Sequence, residues 1–435
     1  MSDPSSQSAM KIVFLTTASL ESPYGVGRCL PLARQLVRLG HSVHILALHH
    51  NLTDSVPRYQ KVDGVQVQYV GAMHVRKIGD TTTYYSPFRL PWIVATGAWG
   101  MARAALSLKA DVYHIGKPHP QNTLAGWLAA RLTRGARLFL DYDDYEAGIN
   151  RFGNPLERAV LSFFEDQTPR WIDGITTHAT FLERRLAAQG IPPERILRLP
   201  SAFDPARFAP ASAEILAHWR HQLDVSDQKV VLYVGTISFV NHAVDLLLYA
   251  FAIAAAGRND LLLLIVGGGQ DLAQTKALAE ALGIAHLCRF TGRVDADAVP
   301  ALFQLATISV DPARDTPAEE ARWPLKIVES LAAGTPVLTG DVGDRREMLG
   351  SGTPGSGTPG SGTPGSGSHS SQAGLLVAPD DADALAQGLQ EMLDAPEELE
   401  RMAVAARRLS ARYNSTLLAP RLLAFYNSSL PQNDR

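Results

Sequence analysis

Cysteine is nearly absent: Cys29 and Cys288 are the only two in 435 residues. They lie far apart and in no metal-ligand spacing, which excludes a disulfide framework and a cysteine zinc site and fits a reducing compartment. Charge of one sign is also lacking. The net charge is −3, too mild to argue for nucleic acid, and no RNA- or DNA-binding motif accompanies it. The first ten residues are polar, without a basic n-region or an apolar h-region, so no signal peptide and a cytoplasmic location are expected. The tract Leu90 to Leu108 carries a single charge, but it is too rich in Pro, Thr, Gly and Ala to make a good membrane span. No Gly-x-Ser-x-Gly, His-Glu-x-x-His or phosphate-loop Gly-Lys-Ser/Thr occurs, which removes the commonest hydrolase, zinc-protease and nucleotide-triphosphatase readings. No repeat of solenoid period is found.

What is present is an ordinary globular composition, 46% hydrophobic and 19% charged, at a length that allows two or three domains. Up to Asp204 the chain carries 22 Lys+Arg against 17 Asp+Glu, and beyond it 18 against 26, so the first half is basic and the second acidic. That split suits an anionic partner for the first half. Lys11 to Thr17 reads as a buried strand. Gly25 and Gly27 open a turn, Leu32, Leu36 and Leu39 recur at helical spacing, and a second strand follows Gly40-His41: a parallel βαβ unit. Further strands are expected at 111–116, 137–140, 174–177, 230–234, 261–266, 306–310 and 374–377. GVGRCL lacks the third glycine of a dinucleotide fingerprint.

The stretch Val310 to Asp344 organises the rest. Pro324 suits a first helical position, Gly334 a C-terminal stop, and Pro336 bars continuation. Leu325, Val328 and Ala332 form one face of this helix, and Lys326, Glu329 and Ser330 the other. A cation and a carboxylate near a helix start, after a strand, suit a phosphate and a polyol hydroxyl; a solvated i,i+3 ion pair is the plainer alternative.

The run W-P-L-K-I-V-E-S-L-A-A-G-T-P-V-L-T, from Trp323 to Thr339, resembles the signature of the retaining family 4 of nucleotide-sugar glycosyltransferases, the glycosyl transferases group 1. The resemblance implies an α/β GT-B fold of two facing Rossmann-like domains with the active site in the cleft between them. An acceptor domain would span 1–208, a nucleotide-sugar domain 209–416, and a final helix 417–430 would return to the first. It also implies that Glu329 holds the nucleotide ribose, that the amides of Leu325 and Lys326 meet the diphosphate, and that Gly235, Gly267, Gly268, Arg293 and Val294 line the donor site. No metal and no cofactor are expected.

Two departures from the family pattern stand out. Relatives carry an arginine and a lysine in the loop after Val234, where this chain has Thr236 and Asn241 or His242. The acidic residue expected eight positions before Glu329 is replaced by Ala321, with Glu320 able to substitute through a one-residue shift.

In the first half, Gly25, Gly27, Lys117, His119 and Glu146 are candidate acceptor contacts. Four carboxylates crowd DYDDYE, and three readings compete: a metal-binding Asp-x-Asp, contact or acid–base work on the acceptor, and acids favoured by a helix N-terminus. The strand end at the expected cleft favours the second, with Asp143, Asp144 and Lys326 as candidate catalytic groups. Residues 73–103 mix basic and aromatic side chains, consistent with a buried helix or with a face resting on an anionic membrane. The GSGTP repeats within 350–372 read as a linker.

The expected activity is hexose transfer from a nucleotide-diphosphate sugar to a glycan or lipid-linked acceptor hydroxyl. A nucleotide-sugar epimerase of the same fold and a catalytically silent binding subunit are the alternatives.

Overall fold

The computed structural model describes residues 8–428 apart from 23, 54–55, 79–80, 87, 150–154 and 352–371. Most of the repeat segment 350–372 thus lies outside the described residues. The chain forms two compact units, one of Met1–Lys77, Thr83–Ala202 and Ser415–Arg435, the other of Phe203–Asn414 with Ile78–Thr82.

The first unit is built on strands β1 (Lys11–Thr16), β2 (Ser42–His49), β3 (Tyr59–Val62), β4 (Val65–Ala72), β5 (Val75–Ile78), β6 (Thr81–Tyr84), β7 (Val112–Gly116), β8 (Arg137–Tyr142), β9 (Gly174–Thr177) and β10 (Ile196–Arg198). Its helices are α1 (Leu30–Arg38), α2 (Leu90–Leu108), α3 (Pro120–Leu132), α4 (Glu146–Ile149), α5 (Pro155–Trp171) and α6 (Thr180–Ala188). Eight strands form one sheet in the order β10-β9-β8-β7-β1-β2-β4-β3, while β5 and β6 pair separately. Every pairing in the large sheet is parallel except β3 on β4. Ile12, Val13 and Leu15 are wholly buried, as a strand covered by helices on both faces requires. The direction of strand succession reverses between β1 and β7, which makes their carboxyl ends the place where such sheets take ligands.

The second unit carries β11 (Lys229–Val234), β12 (Leu261–Val266), β13 (Cys288–Gly292), β14 (Ile308–Asp311), β15 (Val337–Gly340) and β16 (Gly374–Val377). Its helices are α7 (Ala213–Gln222), α8 (Phe239–His242), α9 (Val244–Ala254), α10 (Leu272–Ala281), α11 (Val299–Leu305), α12 (Pro317–Glu320), α13 (Leu325–Ala333), α14 (Arg345–Met348), α15 (Ala382–Leu393) and α16 (Pro396–Ser410). The sheet order is β13-β12-β11-β14-β15-β16, all parallel, with the reversal between β11 and β14. Apolar clusters cover both faces, one centred on α9 and α15 and the other on α13 and α16.

The chain passes from one unit to the other between Ala202 and Phe203 rather than after 208. Phe203 and Phe208 explain the shift, since both are buried in the second unit's core with ring centroids 5.5 Å apart. The last helix, α17 (Ser415–Ser428), belongs to the first unit, where Leu418, Leu422 and Tyr426 join the core of Leu32 and Leu36. Tyr426 also bonds to Nδ1 of buried His114 at 2.6 Å. α2 spans the tract expected to be a buried helix, but Trp92 and Trp99 on it are each 70% exposed. Among the described residues no helix is long and apolar enough to cross a membrane.

Candidate functional site

In the second unit the loops after β11 and β12 meet edge to edge. A Cβ at Gly267 would lie 1.9 Å from the carbonyl oxygen of Gly235, so no other residue permits this approach. Gly268 accepts a hydrogen bond through its carbonyl from the Ile237 amide at 3.1 Å. Gly267 and Gly268, expected as donor contacts, therefore hold the two loops together. Gly235 leaves bare backbone beside Lys326: a Cβ there would sit 3.6 Å from the lysine Nζ.

Lys326 and Glu329 do not form the solvated pair that helical spacing allows. Both are buried, and Lys326 Nζ reaches back to Asp311 Oδ1 at the end of β14, 3.1 Å away. The ammonium also lies 4.3 Å from the centre of the Tyr233 ring, a cation–π contact in a dry setting. Burial lowers the Lys326 pKa, with Asp311 opposing. Asp311 is shared with Arg345 Nε at 2.8 Å. Arg345, among the most buried large side chains, continues to Glu319 Oε2 at 2.5 Å, and the other oxygen of Glu319 pairs with Arg322. Three cations thus enclose two carboxylates, and Asp311 is held far below the usual carboxylate range by Arg345 and Lys326 against the cost of burial.

Pro324 stands one residue ahead of α13 in an extended conformation rather than in its first turn, and Gly334 ends the helix at φ +79° as expected. Ser330 donates to the Thr335 carbonyl at 2.9 Å and serves the turn rather than a ligand face. Glu319, not Glu320, is the acid drawn into the network. It sits on the inward side of α12, whereas half-buried Glu320 makes no ion pair among the described residues. Glu329 is likewise without an ion pair among the described residues, and burial pushes its carboxyl up to about 7, with Arg207 opposing. Arg293 is exposed and Val294 half-buried at the end of β13, while Thr236 is exposed beside the β11 loop. Asn241 presents its carbonyl to Arg322 at 2.6 Å.

In the first unit, Gly25 and Gly27 lie in a π-helical turn that leads into α1, and both are buried. A Cβ at Gly25 would fall 2.4 Å from the Leu20 carbonyl oxygen, and the Gly27 carbonyl accepts from the Ala202 amide at 2.9 Å. These glycines therefore serve close packing within the first unit. Below them Arg28 forks onto Asp141, with bonds of 2.6 and 2.5 Å, and donates to the Leu199 carbonyl at 2.7 Å. The first acid of DYDDYE is thus structural. Burial would raise its pKa, but Arg28 holds it at about 2.

The remaining acids do converge. Lys117 Nζ stands 2.6 Å from both Asp144 Oδ2 and Glu146 Oε1, and 3.7 Å from Asp143 Oδ1. Its backbone is left-handed, at φ +67°, a strained conformation for a residue with a side chain. His119 bridges Glu146 Oε2 at 3.0 Å and Thr17 Oγ1 at 2.9 Å. Burial, reinforced by Asp144 and Asp141, raises the Asp143 pKa well above its usual range despite Lys117. Burial would do the same to Glu146, yet Lys117 and His119 keep it ionised far below its usual range. Two neighbouring carboxyls whose affinities for a proton are pushed in opposite directions are equipped for proton transfer. The sequence offered no sign of Glu165, wholly buried, whose carboxylate accepts from Tyr142 Oη and the amides of Glu146 and Ala147 at 2.9 to 3.0 Å and so anchors this loop.

Among the described residues, two clusters have ligand atoms close enough to share a cation: Asp143, Asp144 and Glu146, and Glu21, His49 and His50. In the first, the Lys117 ammonium already stands as counter-cation. In the second, His49 Nδ1 accepts from the Asn51 amide at 3.0 Å, which places the ring proton on Nε2, the atom turned to Glu21. That tautomer does not suit a metal ligand.

Comparison with known proteins agrees with this architecture. Residues 25–202 match the model of the glycosyl transferase 4-like domain, and residues 217–409 that of the glycosyl transferases group 1. The chain is 26% identical to a D-inositol 3-phosphate glycosyltransferase of Thermobispora bispora over 93% of its own length and 89% of that protein. It is 27% identical to a GDP-mannose-dependent alpha-(1-6)-phosphatidylinositol monomannoside mannosyltransferase of Mycobacterium tuberculosis, covering 68% and 71% of the two chains. The fold matches Anabaena HepE in complex with UDP-glucose, with a TM-score of 0.69 at 16% identity over 96% of this chain and all of that one. It also matches a sucrose-phosphate synthase of Thermosynechococcus elongatus, with a TM-score of 0.71 at 18% identity over 96% and 98%. Two Rossmann-like sheets of the GT-B type and both family matches make the class plain: the protein is a transferase. The chain belongs to the group 1 glycosyltransferases, of the family 4 type.

Proposed function

We propose that the protein is a retaining glycosyltransferase that moves a hexose from a nucleotide-diphosphate sugar to a hydroxyl of a glycan or lipid-linked acceptor, without a metal. The observation that carries this reading is the cluster of Arg322, Lys326 and Arg345 around only two carboxylates, beside bare glycine backbone and with the buried carboxyl of Glu329 one turn along α13. In this reading Glu329 accepts hydrogen bonds from the ribose hydroxyls. The diphosphate lies by the amides of Leu325 and Lys326, bounded by Gly235, Thr236 and Asn241. Arg293 and Val294 flank the base, and Glu320 stands on the sugar side. Lys326 stabilises the charge that develops on the departing diphosphate. In the first unit Lys117, His119 and Glu146 orient the acceptor, and Asp143 and Asp144 serve its proton. Relatives named for inositol phosphate and phosphatidylinositol mannoside support a polyol acceptor.

A thermal-shift series with UDP, GDP, ADP and TDP tests the donor half of this reading. One nucleotide raises Tm by mass action, by several degrees at a hundredfold excess over Kd. No shift with any of the four would remove the nucleotide-sugar donor.

The lipid-linked alternative draws on residues 73–103. Phe88 is 96% exposed and Trp92 and Trp99 are 70% exposed, beside exposed Arg89 and Arg103. Neither α2 nor the adjoining α3 contains an acid. Such a face suits peripheral contact with an anionic bilayer at the cytoplasmic side. The chain is expected to float with phosphatidylglycerol vesicles and not with neutral ones, and a Trp92→Ser, Trp99→Ser double variant is expected to stay in the soluble fraction. Equal recovery of variant and parent with the vesicles would refute this contact.

A further inference from the structure

The loop after β11 and helix α8 together run from Gly235 to His242 without an arginine or lysine, although a diphosphate held there needs formal positive charge close by. The structure brings one in from elsewhere in the chain. Arg322, in the turn between α12 and α13, lies across α8 and donates from Nη1 to the Asn241 carbonyl at 2.6 Å. The same nitrogen pairs with Glu319. Glu319 is fixed in turn by Arg345, at 2.5 Å from Nη2 to one carboxylate oxygen and 3.1 Å from Nη1 to the Glu319 carbonyl. The guanidinium is therefore anchored by one edge only. Its Nε and Nη2 make no hydrogen bond among the described residues, and the side chain keeps 17% of its surface accessible.

The neighbouring charges leave this edge in surplus. Lys326 is matched by Asp311, and Arg345 is divided between Asp311 and Glu319. Arg322 has only a share in Glu319. Half-buried His242 adds no charge, since burial, Lys326 and Arg322 all hold its imidazole neutral, with Asp311 opposing. A planar guanidinium with one edge braced and the other open is the geometry that binds phosphate oxygens in a fork.

We propose that Arg322 is the second cation of the diphosphate grip: its open edge takes phosphate oxygens beside Lys326 and supplies the positive charge that the β11 loop and α8 lack. The inference rests on the donor reading given above and names the residue that makes it work. Arg345, nearly inaccessible, is a positioning residue that keeps Glu319, and through it Arg322, in place.

Isothermal titration of the full chain with a nucleoside, its monophosphate and its diphosphate separates the possibilities, using the base selected by thermal shift. Arg322→Ala is expected to weaken the diphosphate about ten- to a hundredfold, as loss of a charge-assisted fork should, and to leave nucleoside affinity unchanged. Arg322→Lys is expected to recover part of the loss, because it restores the charge without the fork. Inorganic pyrophosphate is expected to bind the parent and not the alanine variant. Equal weakening of nucleoside and diphosphate would mean that Arg322 merely braces Glu319, and an unchanged diphosphate affinity would mean that it touches no phosphate. Either result overturns the proposal while the donor reading stands. Should the alanine variant fail to fold, the ratio of diphosphate to nucleoside affinity in the lysine variant decides, with an unaltered ratio overturning the proposal. A parent chain that binds no nucleotide overturns both.

Discussion

Replacing Lys326 by methionine is expected to lower the rate of sugar transfer by a factor of about 10²–10³, the scale on which a group aimed at developing charge contributes. The effect should fall on kcat more than on KM, because an ammonium that meets the leaving diphosphate gains most as the glycosidic bond breaks. Methionine retains the aliphatic stem against Tyr233. Asp311 keeps Arg345 at 2.8 Å and the Thr339 hydroxyl at 3.3 Å, so its carboxylate is not abandoned in the core and Tm should move little. Steady-state kinetics and a melting curve on the same preparation check the expectation. An unchanged kcat would place the leaving group elsewhere.

Glu329→Gln is expected to act in two opposite directions. The carboxyl titrates near 7 in the folded chain, against an ordinary 4.5. The folded state therefore holds a proton that the unfolded state has already released. Between those two values folding stability falls as pH rises, and above about 7 the full cost, on the order of 3 kcal/mol, is present. Glutamine, which never ionises, removes that cost: the variant should match the parent near pH 5 and melt higher than it at pH 8. It should also bind the nucleotide about ten- to a hundredfold more weakly, because a charged acceptor for ribose hydroxyls has been lost. Greater stability together with poorer binding is the mark of a residue kept for its ligand. A variant that melts at the parent's temperature at pH 8 would show that the buried carboxylate costs the fold nothing.

Most strands and the main site helix were legible in the sequence. Leu261–Val266 and Gly374–Val377 are apolar runs between turn residues, and Leu325–Ala333 lies between a proline and a glycine. The Asp63-Gly64 turn, both residues at positive φ, signals the β3–β4 hairpin through the alternation of Val65, Val67 and Tyr69, a signal that a search for parallel βαβ units passes over. The glycines were legible as close approaches but not in what they approach. Gly25 and Gly267 meet backbone of their own unit, and nothing local distinguishes that from a ligand. The polar networks were the least legible. Arg345 reaches Asp311 only because β14 and β15 lie side by side, and Arg28 meets Asp141 across 113 positions of chain. Glu319 and Glu320 are adjacent acids in sequence; a short helical turn sends one inward and leaves the other half-exposed.

The return of α17 to the first unit has a consequence for biosynthesis. The second unit is almost wholly one uninterrupted segment, Phe203–Asn414, and can close as soon as that segment is synthesised. The first cannot, because Leu32, Leu36 and His114 wait for partners that are translated only after the second unit. A nascent chain thus carries an unfinished amino-terminal half past a finished neighbour, with an apolar face uncovered until residues 415–428 emerge. A ribosome stalled in that interval would present a substrate for chaperones rather than a partly active enzyme.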